Sequence, residues 1–201
     1  MDELTQARLI GFLVVLAFVA IWVGGNLRDR RRQARFAALA QSFGKEAVRE
    51  GEFLSRFPVE IDGRTFDVRL QHRGKGPGSK GPGSWYVVTE VVLQGVSDLH
   101  STDIRARMRR PKVVDPRDPD FGKYFTVFDA GYPLREGWLN HDVRNAIAHF
   151  YALDLPLDPL SIEEGRLIHR ALLPVKRFDG EILRELLRRQ GSLAAALEQA
   201  L

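Results

Sequence analysis

The chain has 201 residues, with 30 Lys and Arg against 26 Asp and Glu, a formal charge of +4, and no cysteine. Without thiols, disulfide frameworks, thiolate nucleophiles, zinc ribbons and iron–sulfur clusters are excluded. The length allows one domain with a single core. The basic excess sits beside the first apolar segment, so it points to a membrane surface and no nucleic-acid partner is expected.

Residues 1–8 are a short polar flank. Leu9 to Leu27 (LIGFLVVLAFVAIWVGGNL) then carry no charge. As a helix they reach roughly 28 Å, about the hydrocarbon thickness of a bilayer. Their Leu, Ile, Val and Phe residues contribute on the order of −3 to −7 kcal/mol on an insertion scale. Leu9, Phe12, Leu16, Ile21 and Trp22 are the candidate lipid contacts, and Trp22 suits the interface. A cleaved signal peptide would have a basic n-region and a small-residue exit, whereas the first residues are Met1-Asp2-Glu3 and no such exit follows. A buried core helix would be shorter and apolar on one side. Ala20 and Gly24 form one small-x-x-x-small pair, which could seat another helix, but chance composition is the commoner source of one such match.

Arg28, Arg30, Arg31, Arg32 and Arg35 follow the span against one acid, Asp29, while the N-terminal flank has Asp2, Glu3 and Arg8. Basic residues stay in the cytoplasm, so the C-terminal domain is expected inside, with the inner membrane crossed once. The same arginines can attract anionic lipid head groups, at about 1 kcal/mol each near the surface. Residues 28–50 form a basic juxtamembrane stalk. Phe36, Leu39, Ala40 and Phe43 make an apolar stripe on it, which is expected to pack on the domain. Gly44 is a natural stop, and residues 45–51 read as a polar link.

Residues 51–201 form the expected soluble domain. Phe57 to Ile61 and Thr65 to Leu70 are strands about an Asp62-Gly63 turn, the best short hairpin signal available. Phe66, Val68 and Leu70 share one face; Asp67, Arg69 and Gln71 share the other. A tandem repeat, Lys75-Gly-Pro-Gly-Ser79 then Lys80-Gly-Pro-Gly-Ser84, cannot hold a helix or a ladder and reads as a loop. Its lysine spacing fails the phosphate-binding loop pattern. Trp85 to Gln94 is the most β-prone run and suits a central strand.

Residues 104–109 alternate, with Arg105, Arg107 and Arg109 on one face. This reads as a solvated strand face or a basic interaction face, without the interleaved aromatics of single-strand nucleic-acid binders. Asp115, Asp118 and Asp120 lie among prolines without the ligand spacing of a calcium loop. Tyr124 to Asp129 is a further strand.

Trp138 to Tyr151 is read as a helix capped by Asn140, with Val143, Ile147, Phe150 and Tyr151 as its apolar stripe. Leu160 to Leu173 fits a hairpin with its tip at Glu163-Glu164-Gly165, and a helix competes with it. Asp179 caps a helix over Glu181 to Arg189, with Ile182, Leu183, Leu186 and Leu187 inward. Gly191-Ser192 is expected to interrupt it before a last helical piece, Leu193 to Leu201.

The order of elements over the second half, with Arg117-Asp118-Pro119-Asp120-Phe121-Gly122 ahead of an aromatic strand, resembles a loose group of bacterial single-pass membrane-anchored proteins. Those proteins have a C-terminal domain of unknown function and a Gly-Asp-x-x-Phe-Asp stretch at this place. The resemblance implies no catalytic residue, because the group has no assigned activity.

The expected fold is α+β: an N-terminal transmembrane helix, then an antiparallel sheet of about five to seven strands packed with C-terminal helices. The expected function is a non-catalytic domain, tethered to the lipid bilayer, that recruits or senses a protein partner at the membrane surface. A membrane-anchored hydrolase is the alternative. The census lacks Cys, a Gly-x-Ser-x-Gly elbow and His-Glu-x-x-His, and scatters His72, His100, His141, His149 and His169 over different elements. No catalytic residue, metal or cofactor is expected.

Overall fold

The computed structural model describes residues 3–51, 54–73, 84–96, 102–106, 125–129, 137–153, 160–173 and 179–201. The Lys-Gly-Pro-Gly-Ser repeat up to residue 83, His100, Arg107, Arg109, the Asp115–Asp120 stretch and the 117–122 run that carries the resemblance lie outside them.

Helix α1 runs unbroken over Glu3–Gln41, a length of about 58 Å. It ends where expected. Gly44 takes φ +65°, its N–H donates to the Gln41 carbonyl, and the Lys45 N–H donates to the Ala40 carbonyl. These two bonds satisfy last-turn carbonyls in a Schellman arrangement, which a Cβ at position 44 would strain.

Eight strands follow among the described residues: β1 (Val48–Arg49), β2 (Leu54–Ile61), β3 (Arg64–Arg73), β4 (Ser84–Val92), β5 (Thr102–Ala106), β6 (Phe125–Asp129), β7 (Leu160–Glu163) and β8 (Arg166–Leu173). They form one antiparallel sheet in the order β1-β2-β3-β4-β8-β7-β5-β6. Strand β1 corrects the reading of residues 45–51 as a link. Two residues are too short to show a period, and they pair only because β2 offers Ser55 and Arg56. Beyond Arg56, Pro58 stands on this edge strand, where a missing N–H costs least and blocks strand addition.

The β2–β3 turn has φ +50° at Asp62 and +76° at Gly63, the type I′ signature that matches strand twist. Glu164 (+49°) and Gly165 (+71°) repeat it between β7 and β8. Residues 160–173 are therefore a hairpin, and the competing helix is ruled out. The main partner of β8 is β4, in register from Trp85 with Leu173 to Val92 with Arg166. That pairing makes β4 central, as its apolar density suggested.

Helix α2 (His141–Tyr151) and helix α3 (Gly180–Ala200) cover one face of the sheet. The Asn140 side chain accepts the Val143 N–H at 3.0 Å, so the cap sets the α2 start at His141 rather than Trp138. The Asp179 carboxylate accepts the N–H groups of Glu181 and Ile182. Phe57, Phe66, Val68, Leu70, Ile147, Phe150, Leu160, Ile162, Leu167, Leu183, Leu186 and Leu187 close the core between helices and sheet.

The expected break at Gly191-Ser192 does not occur; α3 passes through it. Leu183, Leu186, Leu187, Gln190, Leu193, Ala194 and Leu197 are buried in one continuous helical phase across the glycine. Their packing outweighs the ~1 kcal/mol that a glycine costs a helix interior. A Cβ at position 191 would meet the Phe66 ring at 3.4 Å and Arg64 Cδ at 3.6 Å, ordinary contact distances. Gly191→Ala should therefore stabilise the domain by about 0.5–1 kcal/mol, seen as a higher melting temperature. A lower one would show that α3 needs the glycine for closer packing than this.

Candidate membrane-contact site

The apolar run of α1 carries most of the exposed large hydrophobic side chains among the described residues. Phe12 is 63% exposed, Phe18 70%, Ile21 73% and Trp22 71%, whereas every core side chain is at or below 9%. Leu16 is exposed as well, and Leu9 lies on the same helix. From Phe12 the helix is long and apolar enough to cross a membrane, and its apolar stretch is not buried in the domain. A core helix of a soluble protein would be mostly buried. Bare apolar area on this scale needs an apolar solvent or a partner.

One turn further, the surface changes. Arg28, Arg30, Arg31 and Arg35 are exposed on α1. Arg32 is half-buried and pairs with Asp29 at 2.8 Å, an i,i+3 contact on the side facing the domain. Four exposed arginines thus follow the apolar segment, with the single acid among them already engaged.

The next two turns enter the domain. Phe36, Leu39 and Ala40 are buried, and the ring of Phe36 lies 5.2 Å from that of Phe57 on β2. Phe43 packs on the same Phe57 at 6.2 Å, under the Arg184 guanidinium of α3 at 4.9 Å. The Ser55 hydroxyl on β2 donates to Gln33 Oε1 at 2.8 Å. The α3 start comes so close to α1 that a Cβ on Gly180 would collide with the Ser42 side chain. The expected stalk packing is therefore a full share of the core, made by the helix that carries the apolar run.

Several charged groups of the sheet and of α3 are paired with one another. On the sheet face away from the helices, Arg69 bonds Asp67 (2.7 Å) and Glu90 (2.8 Å), Arg166 also bonds Glu90, and Arg170 reaches Ser161 (2.9 Å) and Glu163 (3.4 Å). Three cations meet three carboxylates, so the nearly buried Glu90 has its charge matched. Arg105 sits on β5 in register with Thr126, and its companions Arg107 and Arg109 lie outside the described residues. Arg64 grips Glu198 with two bonds of 2.8 and 2.6 Å. That grip holds the carboxyl below its usual range.

Sequence reasoning missed two buried polar residues. Gln190 accepts the Thr89 hydroxyl at 2.6 Å and donates to the Thr89 and Leu167 carbonyls, tying α3 to β4 and β8. His169 is wholly buried, edge-on to the Phe150 ring at 5.1 Å, and neither ring nitrogen has a hydrogen-bond partner. Burial, with Arg170 adding repulsion, pushes its pKa down to about 3. Alternation along β8 was the available signal, since Leu167, His169 and Ala171 share the core face. His141 and His149 are exposed on α2. Among the described residues no group of three His, Asp or Glu side chains could hold a metal.

No protein-family model matches this chain, and neither the curated proteins nor the solved structures include a significant match to it.

Proposed function

We propose that this chain is a single-pass membrane protein whose α+β domain is a non-catalytic platform, held close under the bilayer to recruit or sense a protein partner there. The observation that carries the reading is the continuity of α1. One helix supplies both the exposed apolar run and the buried Phe36, Leu39 and Ala40 of the core. A cleaved leader is normally separable from the domain it precedes, whereas this helix is a structural part of it. The compensated charges on the sheet and the partnerless burial of His169 favour a scaffold over a hydrolase.

Leu16→Arg tests the anchor. A charge at mid-span costs about 2.5–3.5 kcal/mol on the insertion scale, so membrane association should weaken clearly. Retention of all the variant in the carbonate-washed membrane fraction would show that the span is elsewhere.

The arginine cluster supports a cytoplasmic domain at the inner membrane, with anionic head groups as its nearest neighbours. A fluorescent protein that matures only in the cytoplasm, fused after Leu201, should therefore light up. A phosphatase active only outside should stay silent there. Replacing Arg28, Arg30, Arg31 and Arg32 with Gln should scramble this outcome. Phosphatase activity without fluorescence from the unmodified chain would reverse the topology.

A further inference from the structure

The contacts of α1 with the sheet also set how the domain stands on the bilayer. Gln33, bonded to Ser55, lies six residues past Leu27, about 9 Å along the helix. The polar layer on each side of a bilayer is roughly 5–8 Å deep, so Ser55 sits at its outer boundary. Advancing along β2 to Phe57 means advancing along α1 to Phe36 and Phe43, away from the membrane. The Ser55 end of β2 is therefore the end that meets α1 nearest the membrane.

The rest of the sheet follows by register. Leu54 pairs with Gln71, Arg73 with Ser84, and Trp85 with Leu173, so these positions share the end near Ser55. The type I′ turns at Asp62-Gly63 and Glu164-Gly165 lie at the other end. Glu198, on the last turn of α3, bonds Arg64 and the Gln94 N–H there. Strand β1 returns toward the near end, with Arg49 opposite Ser55. Val48, Arg49 and Arg56 are exposed at this level. Glu50, next to Arg49, is paired with Arg56 at 2.7 Å. Arg49 thus adds to the charge of Arg28, Arg30, Arg31 and Arg35, all within about a Debye length of the lipid surface.

From this placement we propose that the sheet end built around Arg49 and Ser55 rests on the anionic head groups of the bilayer that α1 crosses. Both tight turns and the α3 C-terminus lie at the opposite end of the strands. The inference rests on the anchor reading but holds on either side of the membrane. It assigns two functions to two ends: the near end to lipid, the far end to whatever partner approaches from solution.

The lack of native cysteine makes single labels clean. Full-length Val48→Cys and Gln199→Cys, each carrying an environment-sensitive fluorophore, would be reconstituted into phosphatidylcholine vesicles with or without phosphatidylglycerol. Spin-labelled head groups would serve as quencher. The label at position 48 should be quenched severalfold more than that at 199, and more strongly when phosphatidylglycerol is present. A chain that does not float with the vesicles overturns the anchor and this orientation together. A chain that floats but quenches both labels equally overturns the orientation alone. Strong quenching at 48 that ignores phosphatidylglycerol overturns the anionic recognition.

Discussion

A fragment beginning at Gly51 should fail to fold stably, whereas one beginning at Arg28 should unfold cooperatively. From the residue pattern alone, residues 51–201 hold nearly every strand signal and both apolar helices, and the shorter fragment is expected to suffice. The structure adds Phe36, Leu39 and Ala40 to the core, together with the Gln33 bond to Ser55 and strand β1. Removing a buried phenylalanine costs about 3–5 kcal/mol and a buried leucine about 2–5, against a total stability of about 5–15 for a domain. Losing both at once uncovers Phe57, which packs on Phe36 and Phe43. Phe36→Ala in the full chain gives the milder form of the test. It should lower stability in detergent by about 3–5 kcal/mol while leaving the protein in the membrane fraction. Equal denaturation midpoints for the two fragments would show that α1 only touches the domain.

Acid should destabilise the domain well above the carboxylate range, and His169 should be the cause. Its folded pKa is about 3, against 6.5 for an ordinary histidine. Below pH 6.5 the unfolded chain takes up a proton that the folded chain refuses, so stability falls as pH falls. Each pH unit in this window is worth about 1.4 kcal/mol, so about 2 kcal/mol is lost by pH 5. Glu198 acts in the same direction. Arg64 lowers its folded pKa, so its contribution is present above the unfolded value near 4.5 and is lost on further acidification. Between pH 4.5 and 6.5 the histidine is therefore the larger contributor of the two.

His169→Leu, of similar volume, should flatten the slope in that window. It should match or exceed the wild type at pH 7, because two orphaned ring nitrogens leave the core. An unchanged slope would place the acid sensitivity in another group.

Local physics was legible where the signal lies within a single segment. The uncharged Leu9–Leu27 run fits a bilayer by length alone. Asp62-Gly63 supplies the two positive φ values of a type I′ turn. Asn140 offers an acceptor to the first free N–H groups of a helix, and Gly44 takes the left-handed step that ends one. The inward set Phe66, Val68 and Leu70 follows from a period of two. These features depend on backbone sterics, capping and alternation, which a chain carries wherever it folds.

Tertiary contact decided the rest. Glu164-Gly165 becomes a hairpin tip because β4 offers β8 eight partners some eighty residues earlier in the chain, and no local pattern contains that pairing. Gly191 stays helical because Leu187, Gln190, Leu193 and Ala194 bury together, and their combined packing exceeds one glycine's preference for freedom. Residues 48–49 are a strand only beside β2. His169 reads as one polar residue in a mixed run until Phe150, Thr89 and Arg170 surround it and water is excluded. The stalk enters the core because Phe57 needs cover that the sheet and its other helices do not supply. Each outcome turns on free energy gained between segments far apart in sequence, which becomes definite only when the fold brings them into contact.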